Sequence, residues 1–158
     1  MTTENINIAC EKLYHRELNL KDLSLVDAAR KALRLAYAPY SQFRVGVVLL
    51  LDNDHIILGN NQESAVFPNG LCAERVALFN LNSNLPNSKV INIVISAVNK
   101  DGKSPVCTSP CGACRQALLE QEIKQGTPIR ILLDGSEYVT VVNSAQSLLP
   151  IPFLPSEV

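Results

Sequence analysis

Apolar positions change period several times along the chain, and each change marks an element. Val26, Ala29, Leu33 and Tyr37 recur at helical spacing, Ser24 and Asp27 resemble a capping box, and Pro39 stops the run. Phe43 to Leu51 and Ile56 to Leu58 are β-branched and aliphatic, with Asp52-Asn53-Asp54 reading as a hairpin turn between them. A second helix is expected from near Cys72 through Phe79, and a buried strand from Val90 to Val98. A third helix is expected from Pro110, a favoured first-turn residue, to about Lys124. Ile129 to Leu133 and Tyr138 to Val142 then read as two strands with Gly135 between them. The first twenty residues are mixed, with Ile6 and Ile8 alternating with Asn as a short edge strand at most. Helices that separate strands predict an α/β fold: a single domain over residues 1–158, with a five-stranded mixed sheet flanked by helices in two or three layers. Residues 1–22 form an N-terminal extension to it.

Composition narrows the range of partners. Of 158 residues, 47% are apolar and 18% charged, a balance that argues against disorder. The formal net charge is −1 and no basic stripe or arm is present, so the reading is of no nucleic-acid partner. The longest apolar run, Val45 to Leu51, is too short to span a bilayer, and the N-terminus lacks the pattern of a secretory signal. A cytoplasmic protein with a small-molecule partner and no membrane partner is expected.

Five cysteines, an odd number, fit a closed disulfide framework poorly, and clustered cysteines in a reducing compartment point to metal or catalysis. Two segments carry them: Cys72-Ala73-Glu74-Arg75, and Pro110-Cys111-Gly112-Ala113-Cys114-Arg115-Gln116. Each falls at the start of an expected helix, where unpaired N–H groups and the positive end of the dipole favour thiolates. Cys111 and Cys114 share a helix face, and Cys72 supplies a third sulfur. Three protein ligands leave a tetrahedral zinc one open position, which is what separates catalytic from structural sites. Three thiolates on Zn2+ sum to −1, and Arg75 is placed to offset that excess. Glu74 follows Cys72 by two, so it reaches the same site only if Cys72 caps the helix with extended torsions. From there its carboxylate can take a proton from water and deliver it to a substrate. Two other readings stay open on these residues alone. Cys111 and Cys114 could form a redox pair, and Cys107 could close a four-sulfur structural zinc site. Cys10, His15 and His55 have no partner at ligand spacing.

With both segments stated, the chain resembles the homotetrameric cytidine deaminases of the three-cysteine zinc type, and the zinc deaminase signature is itself a known one. The resemblance runs from Ala36 onward through Ala38-Pro39-Tyr40-Ser41-Gln42-Phe43-Arg44-Val45-Gly46, Gly59-Asn60-Asn61-Gln62-Glu63-Ser64-Ala65, the two cysteine segments, and Leu148-Leu149-Pro150 with Phe153 after it. It implies one Zn2+ per subunit held by Cys72, Cys111 and Cys114, with Glu74 as the catalytic acid and base. It further implies that Phe43 stacks on the pyrimidine, Asn61 and Glu63 bond the ribose 3′-hydroxyl, and the Ala65 backbone holds the base edge. Phe153 would reach a neighbouring subunit's pocket. The implied reaction is hydrolysis of cytidine and 2′-deoxycytidine to uridine and 2′-deoxyuridine with release of ammonia, a step of pyrimidine salvage. The alternatives are a related zinc deaminase of another substrate, such as a nucleoside antibiotic, and a non-catalytic zinc domain. The chain departs from many relatives at Ser64, Val66 and Phe67, where Asn, Cys and Tyr are common.

Overall fold

A computed structural model describes residues 2, 3 and 5–154. Six strands form one sheet: β1 Glu11–Tyr14, β2 Arg44–Leu51, β3 Ile56–Asn60, β4 Val90–Val98, β5 Arg130–Asp134 and β6 Tyr138–Val142. Their spatial order is β1-β6-β5-β4-β2-β3, and only the β4–β5 pair is parallel. Three α-helices accompany them: α1 Leu20–Ala32, α2 Ala73–Asn84 and α3 Gly112–Gln125. Among the described residues, no helix is long and apolar enough to cross a membrane.

The mixed α/β sheet is as expected, but it has six strands where five were expected. The additional one is β1, which pairs antiparallel with β6 from Glu11 against Val141 to Tyr14 against Tyr138. It escapes the hydrophobic pattern because only Leu13 turns towards the core, while Glu11, Lys12 and Tyr14 face solvent as edge-strand residues can. Ile6 and Ile8, the expected edge, are exposed and lie outside any strand.

The layers number three. On one side of the sheet Leu25, Val26 and Ala29 of α1 pack with Val48, Leu50, Val94, Leu132 and Val141. On the other, Ala77, Leu78 and Leu81 of α2 and Leu118 of α3 pack with Val47, Leu49, Ile93, Ile95 and Ile131. Alternation along β2 divides the two cores, as the period of two requires. Helix α1 starts earlier than the Ser24 reading: Asn19 is the N-cap, its side chain accepting the Asp22 N–H, while the Ser24 hydroxyl donates to the Lys21 carbonyl.

Two glycines let helices approach closely enough to set the site. A Cβ at Gly46 would lie 2.2 Å from the Ala29 carbonyl oxygen, so β2 and α1 meet backbone to backbone. A Cβ at Gly59 would lie 2.4 Å from the Ala73 oxygen and 2.8 Å from the Ala77 Cβ. The first turn of α2, which carries Glu74, is therefore seated directly on β3.

Candidate active site

The sulfur cluster forms because two helices begin on cysteines. Cys72 is the N-cap of α2 with φ −69° and ψ 152°, and Cys111 is the N-cap of α3 with φ −67° and ψ 168°. Both torsion pairs are extended, which places the Cys72 and Glu74 side chains on one site despite their separation of two. Helix α3 thus starts at Gly112 instead of Pro110. An extended Cys111 is incompatible with a helical turn opening at Pro110, whose carbonyl instead accepts the Arg115 Nε hydrogen at 2.9 Å. Neither cap cysteine spends its side chain on a cap hydrogen bond to the helix backbone, so both sulfurs stay available to a metal.

The Cys72 and Cys111 sulfurs lie 3.7 Å apart, the Cys111 and Cys114 sulfurs 3.5 Å apart, and all three fall within 4.8 Å of one another. Tetrahedral zinc with Zn–S bonds of about 2.3 Å needs sulfurs about 3.8 Å apart, so the donor set fits that ion. Among the described residues no fourth ligand atom joins the group. Cys107, the candidate for a four-sulfur shell, has its sulfur 3.6 Å from the Thr140 hydroxyl and 3.9 Å from the Leu133 carbonyl.

Charge is arranged around this cluster. The Arg75 guanidinium lies 3.9 Å from the Cys72 sulfur. Hydrogen bonding from Cys114, aided by Arg75, lowers the Cys72 thiol to about 5 against the opposing effect of burial. Cys114, which donates to that thiolate and is buried, is pushed up. Glu74 is raised, first by burial and then by the negative Cys72 beside it. Arg75 Nε is buried with no hydrogen-bond partner. An orphaned cationic donor beside three thiols suits a site that carries net negative charge when loaded.

A second region lies on the loop before β2 and the loop after β3. A pocket of about 320 Å³ is lined by Tyr40, Ser41, Glu63, Ser64, Phe67 and Gly70. Phe67 stands edge-on to Tyr40 with ring centroids 5.6 Å apart. The expected substrate residues reach this region but are largely engaged within the protein. The Asn61 amide accepts the Val45 N–H at 2.8 Å and donates to the Phe43 carbonyl at 2.9 Å. The Glu63 carboxylate accepts the Tyr40 N–H at 2.9 Å, the Ser41 N–H at 3.3 Å and the Ser41 hydroxyl. Ala65 is exposed between β3 and α2. Phe153 is 61% exposed, on a terminal segment fastened to α3 where Gln116 Nε2 donates to its carbonyl at 2.8 Å. Ser41 is not singled out by the sequence pattern. The available signal was a serine two positions before Phe43, since such hydroxyls commonly accept the N–H two residues on.

Fold and site together define a zinc-binding α/β domain with a buried carboxyl group beside the metal ligands. Residues 20–127 match the family described as the cytidine and deoxycytidylate deaminase zinc-binding region, and the chain belongs to that family. Over 96 residues it is 43% identical to a cytidine deaminase of Halalkalibacterium halodurans, covering 61% of this chain and 68% of that one. A cytidine deaminase of Sporosarcina psychrophila is 41% identical over 96 residues, covering 61% and 66% respectively. The aligned part thus spans about two thirds of these curated relatives. Among solved structures, the cytidine deaminase from Burkholderia pseudomallei is 32% identical with a TM-score of 0.66, over 82% of this chain and 97% of that one. The enzyme from Mycobacterium tuberculosis is 28% identical with a TM-score of 0.65, over 86% and 99%.

Proposed function

We propose that the chain is a zinc-dependent cytidine deaminase that converts cytidine and 2′-deoxycytidine to their uridine counterparts and ammonia. The observation that carries this is the set of three cysteine sulfurs at two helix caps, with no fourth ligand among the described residues and the buried Glu74 next to them. Cys72, Cys111 and Cys114 hold the zinc, which when bound lowers the pKa of a water and so makes a nucleophile available near neutral pH.

This chain's residues do the rest. Glu74, kept above the ordinary carboxylate range by burial, accepts a proton from water at its carboxylate oxygen and delivers it to ring N3. C4 gains the water oxygen. Glu74 then takes the second proton from that new C4 hydroxyl and passes it to the 4-amino group, so the C4–N bond breaks, the C4 carbonyl is left, and ammonia departs. Arg75 offsets the excess charge of three thiolates. Phe43 stacks on the base, Glu63 and Asn61 offer the ribose 3′-hydroxyl the lone-pair and N–H directions their internal bonds leave open, and the Ala65 backbone meets the base edge. A carboxylate at the sugar repels a phosphate there, which favours free nucleosides.

The same reading gives a single domain working in the cytosol in pyrimidine salvage, assembled as a homotetramer in which Phe153 reaches a neighbouring subunit. Exposed apolar side chains at Val66, Phe67, Ile151 and Phe153 support assembly, and a net charge of −1 supports a small neutral substrate over a polynucleotide. Loss of cytidine absorbance on mixing with purified protein tests the activity, with zinc per chain measured in parallel. One zinc with turnover is expected; zinc without turnover on cytidine or 2′-deoxycytidine would reduce the protein to a metal-stabilised domain or a deaminase of another substrate.

A further inference from the structure

The segment from Tyr40 to Val45 is tied to the residues after β3 by side chains, and Ser41 sits at the centre of the ties. Its hydroxyl hydrogen goes to Glu63 Oε1, and its oxygen accepts the Phe43 N–H at 3.0 Å. The other side of Phe43 is held by Asn61, whose Nδ2 donates to the Phe43 carbonyl. Between them Gln42 adopts φ 56°, a left-handed conformation that residues with a Cβ keep only when their surroundings impose it. The Tyr40 and Ser41 N–H groups close on Glu63 Oε2 from the same loop.

Counting lone pairs sharpens the point. A carboxylate accepts about four hydrogen bonds, and Glu63 already accepts three within the protein, which leaves one direction on Oε1. The direction that remains is set by where the Ser41 hydroxyl stands. The same oxygen fixes the backbone from which the Phe43 ring projects. Hydrogen bonding from Ser41 is also the main cause that holds Glu63 below its usual value.

We propose that Ser41 is a positioning residue for nucleoside binding, its hydroxyl fixing the Glu63 carboxylate and the Phe43 backbone as one unit. The sugar and base contacts are then preset relative to each other before substrate arrives. This rests on the deaminase reading above. A hydroxyl that only completed a turn would stabilise the loop without distinguishing substrates.

The test is steady-state kinetics of the zinc-loaded wild type, Ser41→Ala and Ser41→Thr with cytidine and 3′-deoxycytidine, beside their melting temperatures. Ser41→Ala is expected to raise KM for cytidine about tenfold with kcat within twofold. Its effect on 3′-deoxycytidine, which lacks the hydroxyl facing Glu63, should be at least threefold smaller. Ser41→Thr, which restores the hydroxyl, should return KM to within about threefold of wild type. In a Glu63→Ala background, which removes the acceptor, the Ser41→Ala effect should shrink below threefold. Equal effects on both nucleosides, a loss confined to kcat, or no rescue by Thr would overturn the assignment. Should Ser41→Ala melt too low to assay, Ser41→Cys keeps a weak donor of similar size and carries the same comparison. Wild-type protein is assayed first; if it turns over no cytidine, the deaminase reading itself fails and takes this role with it.

Discussion

Of the buried carboxyl groups among the described residues, Asp134 and Glu74 lie on opposite faces of the sheet and are treated differently. Asp134, at the end of β5 on the α1 face, is fully enclosed and saturated. Its Oδ1 takes Arg30 at 2.7 Å and faces His15 Nε2 at 3.1 Å, while its Oδ2 takes Arg30 Nε at 2.8 Å and the Ser96 hydroxyl at 2.7 Å. Arg30 is raised in return, chiefly by that hydrogen bond. Glu74, on the α2 face, is nearly as buried but lacks a saturating shell. Burial holds it towards the neutral form, thiols crowd it, and the neighbouring Arg75 keeps an unpartnered Nε. A saturated buried charge leaves nothing for a ligand to complete, so it serves the fold. An unsaturated one is stabilised only when something else arrives, and that is where chemistry is expected.

The sharpest way to break this contrast is Glu74→Gln. Turnover of cytidine should fall by about 10² to 10⁴ while zinc per chain stays near that of wild type, measured by metal analysis beside kinetics. Asp134→Ala should do the reverse. Removing one partner of a buried, paired charge costs about 3–5 kcal/mol of stability, read by urea unfolding, with turnover per folded molecule near wild type. Comparable loss of turnover in the Asp134 variant would erase the distinction between the two faces. Arg75→Gln should lower turnover about tenfold with much smaller loss of zinc, and full activity at normal zinc would remove its charge-offsetting role.

The smallest effect concerns pH in the metal-free protein. Since the folded pKa of Glu74 is raised, folding takes up a proton there, and the associated stability is complete below the unfolded value of 4.5. It is lost as pH rises from that value through the raised folded one. Glu74→Gln has no such titration, so its stability should gain on wild type across that window and hold the gain above it, by about 1.4 kcal/mol for each unit of the shift. Parallel stability curves for the two proteins would show that Glu74 is not desolvated.

Strands β4 and β6 were legible to the residue, because short, nearly continuous apolar runs rich in β-branched residues, such as Val90 to Val98, favour a buried strand. The three sulfurs were legible too, since helix-start signals placed each cysteine segment where a thiolate is favoured. Strand β1 was not, because a four-residue edge with one inward side chain, Leu13, has no period to detect. Nor was the Asp134 network: His15, Arg30, Ser96 and Asp134 come from four separate elements, and only the fold brings them together. The same holds for Asn61 and Glu63. Their residue types suggested ligand contacts, whereas their bonds to Phe43, Val45, Tyr40 and Ser41 span 16 to 23 positions and depend on tertiary structure.

X-ray absorption at the zinc edge of the loaded protein tests the centre of this picture most directly. Three sulfurs at about 2.3 Å and one oxygen or nitrogen at about 2.0 Å are expected, with the light-atom position lost or altered on adding a cytidine analogue. Four sulfurs, or a protein that retains no zinc while folded, would contradict a catalytic metal at Cys72, Cys111 and Cys114.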